Sequence, residues 1–130
     1  MKSLIPGVLL LSLGTLFVAS NPSVAQNKAP ENFLVSGTEP FWSVKVAKTG
    51  IVFSTPEIKN MTFPYVKPLA ASGRPLDVVR VYQLRGRSSG TLVLKKVDAC
   101  SDGMSDNKYP YSATLILGNR VFDGCARVGK

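Results

Sequence analysis

Apolar residues in this chain recur at every second position, and no stretch sustains the 3.6-residue period of an amphipathic helix. FWSVKVA (41–47) is the clearest case: Trp42, Val44 and Val46 fall on one side, Phe41, Ser43 and Lys45 on the other. A strand with one face in a core and one in water requires that alternation. Comparable runs are FLVSG (33–37), GIVFST (50–55), LDVVRVYQL (76–84), TLVLKKV (91–97), YSATLIL (111–117) and RVFDGCA (120–126). MTFPYVK (61–67) reads as an edge strand, because Pro64 has no N–H to give a central ladder. Turn chemistry separates the runs: Lys48-Thr49-Gly50, the loop KPLAASGRP (67–75), RGRSSG, and Gly118-Asn119. The expectation is an all-β fold, a small antiparallel barrel or sandwich of seven to eight short strands.

The first 25 residues carry a different signal. Met1-Lys2 is a short positive start, Leu4 to Ala19 is an apolar run, and Ser23-Val24-Ala25 sets small side chains before a cut. The run is shorter than the roughly 18 residues that span a membrane, and no cysteine lies near the cut to take a lipid. The expectation is a cleaved signal peptide over 1–25, a flexible lead-in over 26–32, and a single β domain over 33–127. It implies a periplasmic or secreted protein with no stable membrane anchor. Loss of Lys2 with the leader lowers the formal charge only from +8 to +7. The cations are dispersed, which fits no nucleic-acid tract but fits attraction to an anionic envelope polymer.

Two cysteines, Cys100 and Cys125, remain in a chain bound for an oxidising space, so a disulfide between them is the simplest reading. The chain has no histidine. A thiol nucleophile would therefore lack its usual base, and a zinc site would have only carboxylates to complete it. No carboxylate pair can be read for glycoside hydrolysis either. The chain is read as non-enzymatic, with no cofactor and no metal.

Two stretches are candidates for ligand binding. In GTEPFWSV (37–44), Phe41 and Trp42 could form an aromatic platform with Glu39 as an acceptor for sugar or amine groups. The competing role for Trp42 is to fill the core. In CSDGMSDNKYPY (100–111), Asp102, Asp106 and Tyr109 follow the first cysteine. Calcium is conceivable there with Asp98 and Asp123. Asp and Ser beside Gly103 are also ordinary turn formers, and the scaffold reading is preferred.

These motifs, GTEPFW, CSDGMSD-x-x-YPY and a terminal GCA, resemble a family of bacterial envelope proteins of unassigned biochemical role. The likeness runs from about residue 36 to residue 126. Members are exported, sometimes lipid-anchored, and sometimes joined to META or lysozyme-inhibitor-like domains. The resemblance implies an all-β envelope domain with Cys100 and Cys125 as its cysteine pair, and it supplies no catalytic residues. Two functions are then in play. One is an exported domain that binds an envelope protein or an anionic envelope polymer; the other is a protein inhibitor of a cell-wall hydrolase.

Overall fold

The computed structural model describes Gly14 and residues 29–130. Apart from Gly14, the expected leader lies outside the described residues, as do its cut after Ala25 and the lead-in up to Lys28. No helix among the described residues is long and apolar enough to cross a membrane.

Among the described residues there are nine strands where seven to eight were expected: β1 (Phe33–Thr38), β2 (Phe41–Ala47), β3 (Gly50–Ser54), β4 (Met61–Phe63), β5 (Leu69–Ala70), β6 (Val79–Leu84), β7 (Gly90–Ser101), β8 (Lys108–Leu117) and β9 (Arg120–Val128). The ninth is β5, two residues inside the expected loop at 67–75. The expected strand at 61–67 stops at Phe63, before the proline that cannot continue it. The run at 76–84 starts three residues late, because Leu76, Asp77 and Val78 form a turn.

All the strands join one antiparallel sheet in the order β4-β3-β2-β1-β9-β8-β7-β6-β5. Laid flat, nine strands about 4.8 Å apart would span roughly 38 Å. The outermost strands β4 and β5 are nonetheless joined by Pro64 to Pro68, which reaches no more than about 20 Å. The sheet must therefore curl, and it closes to a half-barrel. Across the opening, Gly86 in the β6–β7 turn lies so near the Phe63 ring of β4 that an added Cβ would stand 3.3 Å from it.

The inner face follows the period-two pattern. Phe33 and Val35 of β1, Trp42, Val44 and Val46 of β2, and Ile51 and Phe53 of β3 point inward, as do Leu92 and Leu94 of β7. On β6 the alternation puts Tyr82 and Leu84 inside and carries Arg80 in with them, at 2% exposure. Val79 and Val81 are left half-buried on the opposite side.

β7 and β8 run past the others and carry the one irregularity in their ladder. Lys96 faces Tyr111, but the next pair is Cys100 with Tyr109, so three residues of β7 stand against Pro110 alone. Pro110 cannot donate to a ladder, and a bulge opposite it is how strands accommodate that loss. Beyond the bulge the hairpin end lies over β9. Cys125 has the strand parity of the outward-facing Asp123 and Arg127, yet it is 1% exposed because this end covers it.

Candidate functional site

The two candidate stretches meet. Cys100 and Cys125 form a disulfide with their Cα atoms 5.8 Å apart. The bond fastens the bulged end of β7 to β9, and β9 pairs with β1 through Cys125 and Ser36. The Thr38 hydroxyl, one residue before Glu39, donates to the Asp102 carbonyl over 3.0 Å. GTEPFW and CSDGMSD are thus neighbours at one edge of the domain.

Trp42 does not form a platform. It is 4% exposed, its indole lies 5.7 Å from the Phe122 ring, and its Nε1–H donates to the Asp123 carbonyl over 3.3 Å. Both motif glycines make room for it. A Cβ at Gly37 would run into the indole, and one at Gly124 would meet both the indole and the Ser36 backbone. Phe41, next along the strand, points the other way and is 54% exposed. Glu39 is exposed in the β1–β2 turn, where the Glu39–Pro40 peptide is cis.

Asp102 organises its own turn. Its Oδ1 accepts the Met104 and Ser105 amides at 2.9 and 2.8 Å, and its Oδ2 accepts the Ser105 and Tyr109 hydroxyls at 2.8 and 3.3 Å. The two backbone amides, helped by the hydroxyls, hold its carboxyl down at about 2. Gly103 takes φ 76°, a conformation that glycine adopts without strain. Asp106 is exposed on the same turn. Among the described residues no three Cys, Asp or Glu side chains gather as a metal would need.

Adjoining surface depressions that share lining residues form a groove from Glu39 and Phe41 to Tyr109. At one end is a pocket of about 590 Å³, walled by Glu39, Phe41, Glu57 and Ile58 and floored by Arg120 and Phe122. A shallower depression continues from Phe41 and Thr55 to Ser36, Ser43 and Ser54. These serines are cross-strand neighbours on β1, β2 and β3, and the Ser43 and Ser54 hydroxyls are 2.9 Å apart. They open into a third depression of about 610 Å³, which also takes in Lys45, Tyr109 and Arg127. Tyr109 and Arg127 are shared in turn with a fourth, at Asn107, Lys108 and Pro110. Carboxylates therefore flank one end of the groove, hydroxyls the middle, and three cations the other end.

A polar cluster that sequence reasoning missed runs from the buried Arg80 out to the exposed Lys96. Asp77 accepts Arg80 at 2.9 Å, Lys96 at 3.0 Å and the Tyr111 hydroxyl at 2.6 Å, and Arg80 lies 4.7 Å over the Phe33 ring. Burial alone would raise the Asp77 carboxyl, but hydrogen bonds from Tyr111, Arg80 and Lys96 outweigh it and hold the group below its ordinary value. Burial and the bond to Asp77 push the Tyr111 phenol up to about 12. Burial also raises Tyr82, with Arg80 opposing. Neither Arg80 Nε nor the Tyr82 hydroxyl finds a partner among the described residues. The only hint in the sequence was an acid three positions before an arginine, a spacing common on any surface. None of its residues lines the depressions of the groove, and its contacts hold the β5–β6 turn to β7 and β8.

Comparison of the chain with protein-family models, with curated proteins and with solved structures finds no match in any of the three.

Proposed function

We propose that this is an exported, non-enzymatic domain of the bacterial envelope that holds an anionic envelope polymer in its outer groove. The observation that carries the reading is the groove's continuity. Four depressions share their boundary residues, and Lys45, Arg127 and Lys108 gather at one end of them. An open, continuous channel suits a chain, where a single small molecule is better served by an enclosed pocket. The net charge, +7 once the leader is removed, draws such a polymer in, and the hydroxyl row offers both donors and acceptors along its length. The absence of histidine supports a binding role. The envelope assignment rests on the leader-like N-terminus and the family resemblance.

The test is retention of an alginate hexasaccharide, a uronic-acid oligomer, measured at several salt concentrations. Binding should weaken as salt rises, because exposed charges are screened within about 8 Å at physiological ionic strength. A Lys45→Glu, Arg127→Glu double variant should bind at least about tenfold more weakly, some 1.4 kcal/mol. Binding that ignores both salt and the double variant would sink this reading. Stoichiometric slowing of a cell-wall hydrolase, without polymer retention, would favour the inhibitor reading.

A further inference from the structure

The pocket at the carboxylate end of the groove differs in chemistry from the rest. It lies between the β1–β2 turn and the Thr55–Ile58 turn, which closes on itself through Thr55 N–H to the Ile58 carbonyl at 2.8 Å and Ile58 N–H to Thr55 Oγ1 at 2.9 Å. Its floor is firm. Phe122 packs between Trp42 and Phe53 at ring distances of 5.7 and 5.5 Å, and the Arg120 guanidinium lies 4.8 Å over Phe122. Phe41 and Ile58 stay 54% and 37% exposed at its walls, in a domain that buries most of its large apolar side chains.

Its polar groups exclude most ligands. Glu39 and Glu57 only accept hydrogen bonds, and Arg120 only donates. An anion would meet the two carboxylates; a cation would meet Arg120 at the floor and the positive charge of the whole chain. An uncharged group that donates, accepts and has an apolar face satisfies all three.

We propose that this pocket is a subsite for an uncharged, N-acetylated sugar ring. The ring's C–H face lies against Phe41, and an acetamido group gives its carbonyl to Arg120, its N–H to a glutamate and its methyl to Ile58. At about 590 Å³ the pocket is in the range that small-ligand sites occupy. The proposal refines the groove reading: the polymer would carry neutral acetamido sugars as well as anionic groups.

The test uses uncharged tetrasaccharides and amide NMR of the full domain. Chitotetraose, built from N-acetylglucosamine, should shift the Phe41, Ile58 and Arg120 resonances saturably. Cellotetraose, which lacks the acetamido groups, should bind at least fivefold more weakly. Phe41→Ala and Arg120→Gln should each weaken chitotetraose binding fivefold or more. Both alter exposed positions, and an unchanged melting temperature would show that the fold survives. Absence of a saturable shift at these residues, or equal binding of the two sugars, would overturn the proposal. If alginate shifts Lys45 and Arg127 while chitotetraose leaves the pocket untouched, this inference falls and the polymer reading stands. The reverse result would sink the polymer reading and keep the sugar subsite.

Discussion

Trp42 shows how two motifs far apart in sequence can serve one side chain. Gly37 and Gly124 flank the indole, and neither position has room for a Cβ. Gly124→Ala should therefore destabilise the domain by about 1–3 kcal/mol, the usual range for overpacking. Equilibrium urea unfolding would check it, and an unchanged midpoint would refute the cradle. Asp102 gives a second prediction. Its carboxyl lies near 2 in the folded protein against an ordinary 3.8. A depressed value means that the stabilisation is complete above pH 3.8 and is lost as pH falls towards 2. Wild type should thus lose stability over that window more steeply than Asp102→Asn, measured by urea midpoints at successive pH values. Parallel curves for the two proteins would show that the turn's hydrogen bonds contribute nothing to folding.

At the level of strands, the disulfide and the bulge act as a pair. The bulge turns the end of the β7–β8 hairpin over β9, and the Cys100–Cys125 bond holds it there. With the two cysteines 25 positions apart in sequence, the loop-entropy relation gives roughly 3–4 kcal/mol of stabilisation. Cys125→Ser should lower the melting temperature by at least about 10 °C, since each kcal/mol shifts a domain of this size by about 4–8 °C. Calorimetry of the variant would check this; a fall of only a degree or two would mean that the hairpin end stays docked without its bond. Most strands were legible because alternation marks a half-buried strand directly, as in β2, β3 and β8. β5 was not legible: two residues in a proline-rich loop carry no period, and their pairing with β6 depends on the curl of the sheet. Arg80 was missed for a related reason. Val79 and Val81 look like the inward face of β6, but Tyr82 and Leu84 hold the register, and Asp77 and Phe33 receive the arginine. The cysteine pairing and the Asp102 turn could be read from residue chemistry. The groove could not, because its residues come from several separate strands and loops and meet only through sheet register.

Over the whole of the described domain, β1 to β4 form one meander and β5 to β9 another, and among the described residues the only ladder between them is β1 against β9. Gly129 N–H extends that seam by donating to the Asn32 carbonyl over 2.8 Å. The last of the described strands in sequence thus completes the middle of the sheet, beside the first of them. Each meander can form from local hairpins as it emerges, but neither has its full core until β9 is out. Until then β1 carries an open edge, and the inner face that Phe33, Val35 and Trp42 will occupy is uncovered. Between the making of β2 and of β9, then, β1 has one edge paired and the other open. Once both meanders have formed, the docking of β9 against β1 is the single step that covers the inner face and closes that open edge.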